Sequence, residues 1–248
     1  MTQPIIEFRG VQKAFDDNII YKDLTLNVYP GETLTIIGGS GVGKSVMLKL
    51  LIGLLPYDDG QVRVFGDEVS ELNDSGLLKL RSRVAMLFQG AALFDSMTVE
   101  DNIMAILEIA EPNKRKRQIR LEELLSEFSI EHIRRASALA LSGGERRRAE
   151  IARCLAAGPK YVLLDEPFAG VDPIAVGEIR HLVAELKNRG IGVLITDHNV
   201  QETLAITDRT YLMFEGKILK SGTAEELAAD EQVRRVYLGQ NFELRARK

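Results

Sequence analysis

Thr33-Leu34-Thr35-Ile36-Ile37-Gly38-Gly39-Ser40-Gly41-Val42-Gly43-Lys44-Ser45-Val46-Met47-Leu48 decides the fold. The first five residues form a mostly apolar strand. The run Gly38, Gly39, Ser40, Gly41, Val42, Gly43, Lys44, Ser45 then satisfies G-x-x-x-x-G-K-[ST]. Its glycines free consecutive backbone N–H groups to point at phosphate oxygens. Lys44 is spaced to reach the β- and γ-phosphates, and Ser45 offers a hydroxyl to Mg²⁺. Helical spacing follows over residues 45–55 and stops at Pro56. Strand, glycine loop and helix in this order predict a nucleoside triphosphate site with Mg²⁺. A tight turn before a helix would not demand the Lys-Ser pair.

Working outward, residues 5–11, 19–26 and 32–37 alternate and turn like antiparallel strands. Short strands are expected at 61–65 and 84–88. From 99 to about 140 the pattern is helical, with a polar break at Glu111-Pro112-Asn113. Apolar strands at 161–164 and 193–196 alternate with helices at 145–157 and 174–189. Two strands around Glu215-Gly216 and a polar helix close the chain. Helices between apolar strands imply an α/β core with a mainly parallel sheet and N-terminal antiparallel strands. The expected domain is single: a core of about 1–90 and 155–248, and an inserted helical subdomain at about 91–154.

Chemistry-bearing residues cluster at predicted strand ends. Asp165 closes Tyr161-Val162-Leu163-Leu164, the expected place for a carboxylate that holds Mg²⁺, and Glu166 follows it. Adjacent acids at a strand terminus point in different directions, so one serves the metal while Glu166 orients the attacking water. His198, one of three histidines, ends the next apolar strand, where an imidazole can donate to a γ-phosphate. Gln89 follows the 84–88 strand and supplies an uncharged Mg²⁺ ligand. Leu141-Ser142-Gly143-Gly144-Glu145 reads as a second phosphate loop with no strand leading into it. A chain with two such loops either binds two nucleotides or shares one between two copies of itself.

A net charge of −4 argues against general nucleic-acid binding. Lys114-Arg115-Lys116-Arg117 has no interleaved aromatics and reads as a solvated helix start. Cys154, the sole cysteine, excludes an intramolecular disulfide, fits a reducing compartment and sits among apolar residues as a small buried hydrophobe. No apolar run approaches the ~18–20 residues that span a bilayer, and the N-terminus lacks the pattern of a signal peptide. The expected location is cytoplasmic, with any membrane contact coming only through partners.

These residues together resemble the nucleotide-binding subunit of an ATP-binding cassette (ABC) transporter, across essentially the whole chain. The resemblance identifies the 141–145 run as the family's signature, Gln89 as its Q-loop glutamine, His198 as its switch histidine and Gly170-Val171-Asp172 as its D-loop. Phe15 stands where an aromatic stacks on adenine, commonly a tyrosine. The resemblance also implies two subunits packed head to tail. Ser142, Gly143 and Gly144 of one would then bind the γ-phosphate held by Lys44 of the other, beside transmembrane permease subunits.

Within the family, LSGGERRRAEIA (141–152), LDEPFAGVDPI (164–174), GVLITDHN (192–199) and RVYLGQNFEL (235–244) resemble the ATPase of the bacterial lipopolysaccharide exporter. That match begins near residue 100. Residues 37–45 and 86–96 resemble instead the ATPase of the Mla-type phospholipid transporter. Two origins fit: a recombinant with a junction near residues 98–102, engineered or natural, that folds but couples poorly, or a divergent natural lipid-transporter subunit. Residues 88–94, with the first helix of the inserted segment, are expected to form the groove for a permease's coupling helix. A soluble ABC-type assembly scaffold is the alternative from a different functional class.

Overall fold

The computed structural model describes residues 3–90, 93–240 and 242–244. Ala91 and Ala92, inside the expected groove segment, and Asn241, inside the 235–244 run, lie outside the described residues, as do Met1 and Thr2.

Strands β1 (Ile6–Phe15) and β2 (Asn18–Val28) form a long antiparallel hairpin. β3 (Thr33–Ile37) leads into α1 (Lys44–Leu51). Then come β4 (Asp59–Val64), the short β5 (Asp67–Glu68), α2 (Asp74–Arg83) and β6 (Val84–Leu87). Helices alone follow: α3 (Val99–Ala110), α4 (Lys114–Glu127) and α5 (Gly143–Leu155). The chain continues through β7 (Tyr161–Asp165), α6 (Pro173–Asn188), β8 (Gly192–Asp197) and α7 (Val200–Leu204). It ends with β9 (Arg209–Phe214), β10 (Lys217–Gly222) and short helical turns from Ala224 onward.

One sheet is antiparallel, in the order β2-β1-β4-β5; the other has six strands in the order β10-β9-β3-β8-β7-β6. In the second, all neighbours are parallel except β10. β3, β7 and β8 are buried on both faces, which explains their near-continuous apolar sequence. Alternate residues face alternate sides. Val162, Leu164, Val193 and Ile195 pack with α3–α6 residues such as Ile103, Leu124, Ile151 and Ile179. Leu34, Ile36, Leu163 and Leu194 pack instead with α1 and the antiparallel sheet, through Met47, Leu48, Phe8 and Val62.

The third N-terminal strand corrects the sequence reading. Residues 33–37 do not extend the antiparallel series; they pair in parallel with β8 and β9 at the centre of the other sheet. Glu32 ends the turn instead, accepting from Tyr29 N at 2.6 Å and forking onto Arg209 at 2.7 and 3.1 Å. α1 stops at Leu51, four residues short of the expected end, and Gly53 takes φ +65°. α2 escaped the sequence reading because only Leu80 on it is buried, so it carries no apolar stripe to detect. The solvated reading of residues 114–117 holds: Asn113 caps α4 by accepting from Arg115 N and Lys116 N. No helix among the described residues is long and apolar enough to cross a membrane.

Candidate active site

Parallel register brings the chemistry together. Ile37 pairs with Asp197, Asp165 with Thr196, and Leu87 with Leu164. The carboxyl ends of β3, β8, β7 and β6 therefore lie side by side, where open α/β sheets bind ligands. Gly38, His198, Glu166 and Gln89 each follow one of those ends.

The glycine loop is held by close approach. Gly43 has φ +108°, and a Cβ there would stand 2.7 Å from both Ile20 and Tyr21 side-chain carbons. Tyr21 also donates its hydroxyl to the Gly43 carbonyl. A Cβ on Gly38 would lie 2.6 Å from the Met213 carbonyl oxygen. Lys44 is buried and donates Nζ to the Gly38 and Gly39 carbonyls at 2.8 and 3.0 Å. Burial pulls its pKa below the usual lysine value, while the charges of Glu166, Asp165 and Asp197 pull it back up. A cavity of ≈ 250 Å³ opens over this loop, lined by Ile20, Ser40, Gly41, Gly43, Lys44, Ser45, Val46, Gln89 and Glu166.

Glu166 is the hub. Its φ of +50° lies in the left-handed region that non-glycine residues seldom adopt. Three backbone contacts hold it there: its N–H donates to Thr196 O at 2.7 Å, and its carbonyl accepts from Ala169 N at 3.1 Å and Arg147 Nη2 at 3.0 Å. Strain held in this way is typical of functional sites. The carboxylate Oε2 accepts from Gln89 Nε2 at 2.7 Å and lies 3.5 Å from His198 Nδ1. Asp165 is buried, and its Oδ1 accepts from Thr196 Oγ1 at 2.6 Å. Asp197, fully buried, accepts from Phe168 N and Asn199 N, and burial raises its pKa above the usual carboxylate range.

Ser45, Gln89 and Asp165 offer a hydroxyl, an amide and a carboxylate, the oxygen donors a hard cation takes. Among the described residues no cluster of three or more His, Cys, Asp or Glu is able to hold a metal alone. The donor set therefore fits Mg²⁺ carried with nucleotide phosphates, and not a protein-only cage.

Ser142, Gly143 and Gly144 stand outside the cavity lining. Ser142 caps α5 in a reciprocal box with Glu145, donating Oγ to Glu145 Oε2 at 2.7 Å and accepting from Glu145 N at 3.3 Å. A Cβ on Gly143 would meet Gly170 O at 2.9 Å, and one on Gly144 would meet Ala175 Cβ at 2.7 Å, so the two glycines permit tight packing on the 170–175 segment. Phe15 also lies outside the lining, 41% exposed at the tip of the β1–β2 hairpin. Lys13 Nζ sits 5.0 Å from its ring centroid. Cys154 is partly buried, and desolvation pushes its thiol up to about 12, as suits an inert hydrophobe.

Sequence reasoning missed Arg147 and Asp197. Both stand inside quoted runs, yet Arg147 meets the Glu166 carbonyl 19 residues away and Asp197 the Phe168 N–H 29 residues away, and no local spacing announces such partners.

A family model described as ABC transporter matches residues 21–169, over half of the chain. The chain belongs to the ABC transporter family. This ABC transporter ATP-binding subunit is an ATP-hydrolysing cassette. It is 46% identical over 235 residues to a probable ABC transporter ATP-binding protein of Azorhizobium caulinodans, covering 95% of this chain and 83% of that one. It is 44% identical over 245 residues to the lipopolysaccharide export system ATP-binding protein LptB of Haemophilus influenzae, covering 97% and 99%. A solved ATP-binding cassette, in a dimeric post-hydrolysis state bound to ADP and Pi, superposes with a TM-score of 0.81 at 26% identity over 88% and 98% of the two chains.

Proposed function

We propose that this cassette hydrolyses ATP, with Mg²⁺, in a head-to-tail dimer that drives lipopolysaccharide export through transmembrane permease subunits on the cytoplasmic face of the inner membrane. The observation that carries the cargo is the 44% identity to LptB, which runs through 97% of the chain and 99% of LptB. A dimer as the working unit is supported by Ser142–Gly144 not lining the cavity that holds Lys44. The related cassette solved with ADP and Pi is itself dimeric.

The cavity is smaller than the ~300–1,000 Å³ of sites that enclose a whole ligand, so it fits the phosphate portion of ATP. The adenosine would then extend over the hairpin tip, where Phe15 offers its ring. In this reading Gly38, Gly39, Ser40, Gly41, Val42 and Gly43 cradle the phosphates and Lys44 contacts the β- and γ-phosphates. Ser45, Gln89 and Asp165 would hold Mg²⁺, which neutralises charge on the phosphate oxygens. Glu166 orients the attacking water and His198 donates to the γ-phosphate. Lys44→Ala should weaken ATP binding by about a hundredfold, roughly 2.7 kcal/mol; calorimetry giving an unchanged Kd would contradict the phosphate contact.

Residues 91–154, lying between β6 and β7, would act as the helical subdomain against a core of 1–90 and 155–248. Where it meets β6, an open groove of ≈ 270 Å³ is lined by Met86 and Phe88, by Ile106 of α3, and by Glu150, Arg153 and Cys154 of α5. Phe94 lies nearby, half exposed, with Arg153 stacked 4.7 Å from its ring centroid. Apolar lining residues beside the charged Arg153 suit an amphipathic coupling helix. The test is recovery of the permease from membranes with the tagged cassette, followed by its identification. Phe94→Ala should lower that recovery about tenfold, the effect of losing one aromatic anchor, with ATPase of the isolated cassette retained. Equal recovery would remove this groove from the docking surface; recovery of a soluble partner alone would favour an assembly scaffold.

Phospholipid transport is the second reading, favoured by the wording of residues 37–45 and 86–96, with a junction near residues 98–102. Several contacts span that point. Thr98 and Asp101 form a capping box, and buried Asn102 accepts from Phe94 N at 2.8 Å and donates to Phe94 O and Thr98 O. The alignment with LptB runs across the point, which supports one lineage. An origin of the gene in two spliced parents would reverse that preference.

A further inference from the structure

We propose that Asp197 is a positioning residue for ATP hydrolysis: its carboxylate clasps the loop after β7 to the loop after β8 and so sets Glu166 against His198. The proposal rests on the roles given above to those two residues.

Asp197 is the last residue of β8 and is 0% exposed. Its two oxygens are divided between two loops. Oδ2 accepts from Phe168 N at 3.3 Å, two residues beyond Glu166, and Oδ1 accepts from Asn199 N at 2.7 Å, one residue beyond His198. The only basic group in an ion pair with it among the described residues is the neighbouring imidazole, His198 Nδ1 at 3.7 Å from Oδ1. A carboxylate buried this fully, with Lys44 acting on it only through longer-range charge, is costly to keep. An apolar residue would fill the space with less desolvation, so the two N–H bonds are what this side chain supplies.

Those bonds act where the chain needs constraint. Glu166 sits at φ +50°, and its carboxylate is 3.5 Å from His198 Nδ1. The Glu166 N–H bond to Thr196 O, with the Ala169 N and Arg147 Nη2 bonds to its carbonyl, holds residue 166 itself, but none of them ties the turn to the end of β8 beyond Thr196. Asp197 supplies that tie, and the same carboxylate holds the backbone that carries the imidazole. With both loops hung on one group, the carboxylate that orients water and the imidazole that meets the γ-phosphate keep a common reference. Asp197 is fully buried and does not line the cavity over the glycine loop, so it does not serve the nucleotide directly.

Asp197→Asn keeps the shape but accepts only one of the two N–H groups and turns an NH₂ toward the other. It should lower kcat about tenfold while leaving the Kd for ATP within about twofold, the pattern of an interaction that matters in the transition state. Asn199→Pro removes one donor from the opposite side and should lower kcat alike, at a position whose φ of −81° accepts proline. In a His198→Ala background, Asp197→Asn should cost less than about twofold, because coupled residues are non-additive. Unchanged kcat in Asp197→Asn, a parallel loss of ATP affinity, or full additivity with His198→Ala would each overturn the proposal. Glu166→Gln and His198→Ala alone separate the two levels. If neither slows turnover, the hydrolytic assignment falls and Asp197 with it; if both do and Asp197→Asn does not, Asp197 alone is wrong.

Discussion

Glu166→Gln should leave ATP binding intact, reduce turnover by about 10²–10⁴-fold, the usual contribution of a positioned proton acceptor, and accumulate an ATP-bound dimer. Glutamine has the same shape, so the left-handed backbone at 166 and its bonds to Thr196 O, Ala169 N and Arg147 are undisturbed. What changes is the carboxylate at the mouth of the cavity. Gln89 Nε2 now meets Oε2 at 2.7 Å, and a water held in that place during hydrolysis needs an acceptor with negative charge. The amide accepts weakly and takes no proton. In the proposed site, binding would depend on the glycine loop and Lys44, whose bonds to Gly38 and Gly39 do not involve Glu166. Single-turnover hydrolysis and size-exclusion chromatography with ATP provide the two readings. Near-normal hydrolysis would refute the role; slow hydrolysis with lost ATP affinity would move Glu166 from chemistry to binding.

Local signals carried much of the site. The strand, glycine loop and helix at 33–51 are contiguous, and each part follows from its own residues: β-branched and apolar, then glycine, then helical spacing. Asp165, Glu166 and His198 could be placed at one sheet edge from sequence because buried parallel strands are apolar end to end, so a polar residue closing such a run marks the edge where open sheets bind ligands. Other features depend on approach in space. Glu32 looked like the start of a strand, yet its pairing with Arg209, 177 residues away, places it in the turn. α2 lies on the surface with Leu78 exposed, so hydrophobic periodicity had nothing to record. Arg147 looked like one of three arginines after the signature. Only tertiary packing distinguishes it: it is buried, paired with Glu150 at 2.9 Å, and bonded to the Glu166 carbonyl.

The proposed sharing of one nucleotide between two subunits gives the other large expected effect. Ser142→Arg should abolish ATP-dependent dimerisation while each monomer still binds ATP. The residue stands at the N-terminus of α5, where unpaired N–H groups and the helix dipole favour an anion. Its hydroxyl is occupied in the isolated subunit by Glu145, at 2.7 Å, and the cavity with Lys44 lies elsewhere. An arginine at this point cannot cap the helix, a loss of about 0.5–2 kcal/mol, and it fills the space that a partner's γ-phosphate would need. Cap loss and steric block are separable. Ser142→Ala loses the cap without adding bulk and should weaken the dimer; Ser142→Arg should eliminate it. The sensitive background is Glu166→Gln, in which the closed dimer accumulates. Sedimentation of Glu166→Gln/Ser142→Arg with ATP should show monomers alone, with ATP affinity within about threefold of the parent, since distant sites act independently. A persistent dimer would mean that the 141–145 loop is not the lent half-site, and that the capping box at Ser142 serves α5 alone.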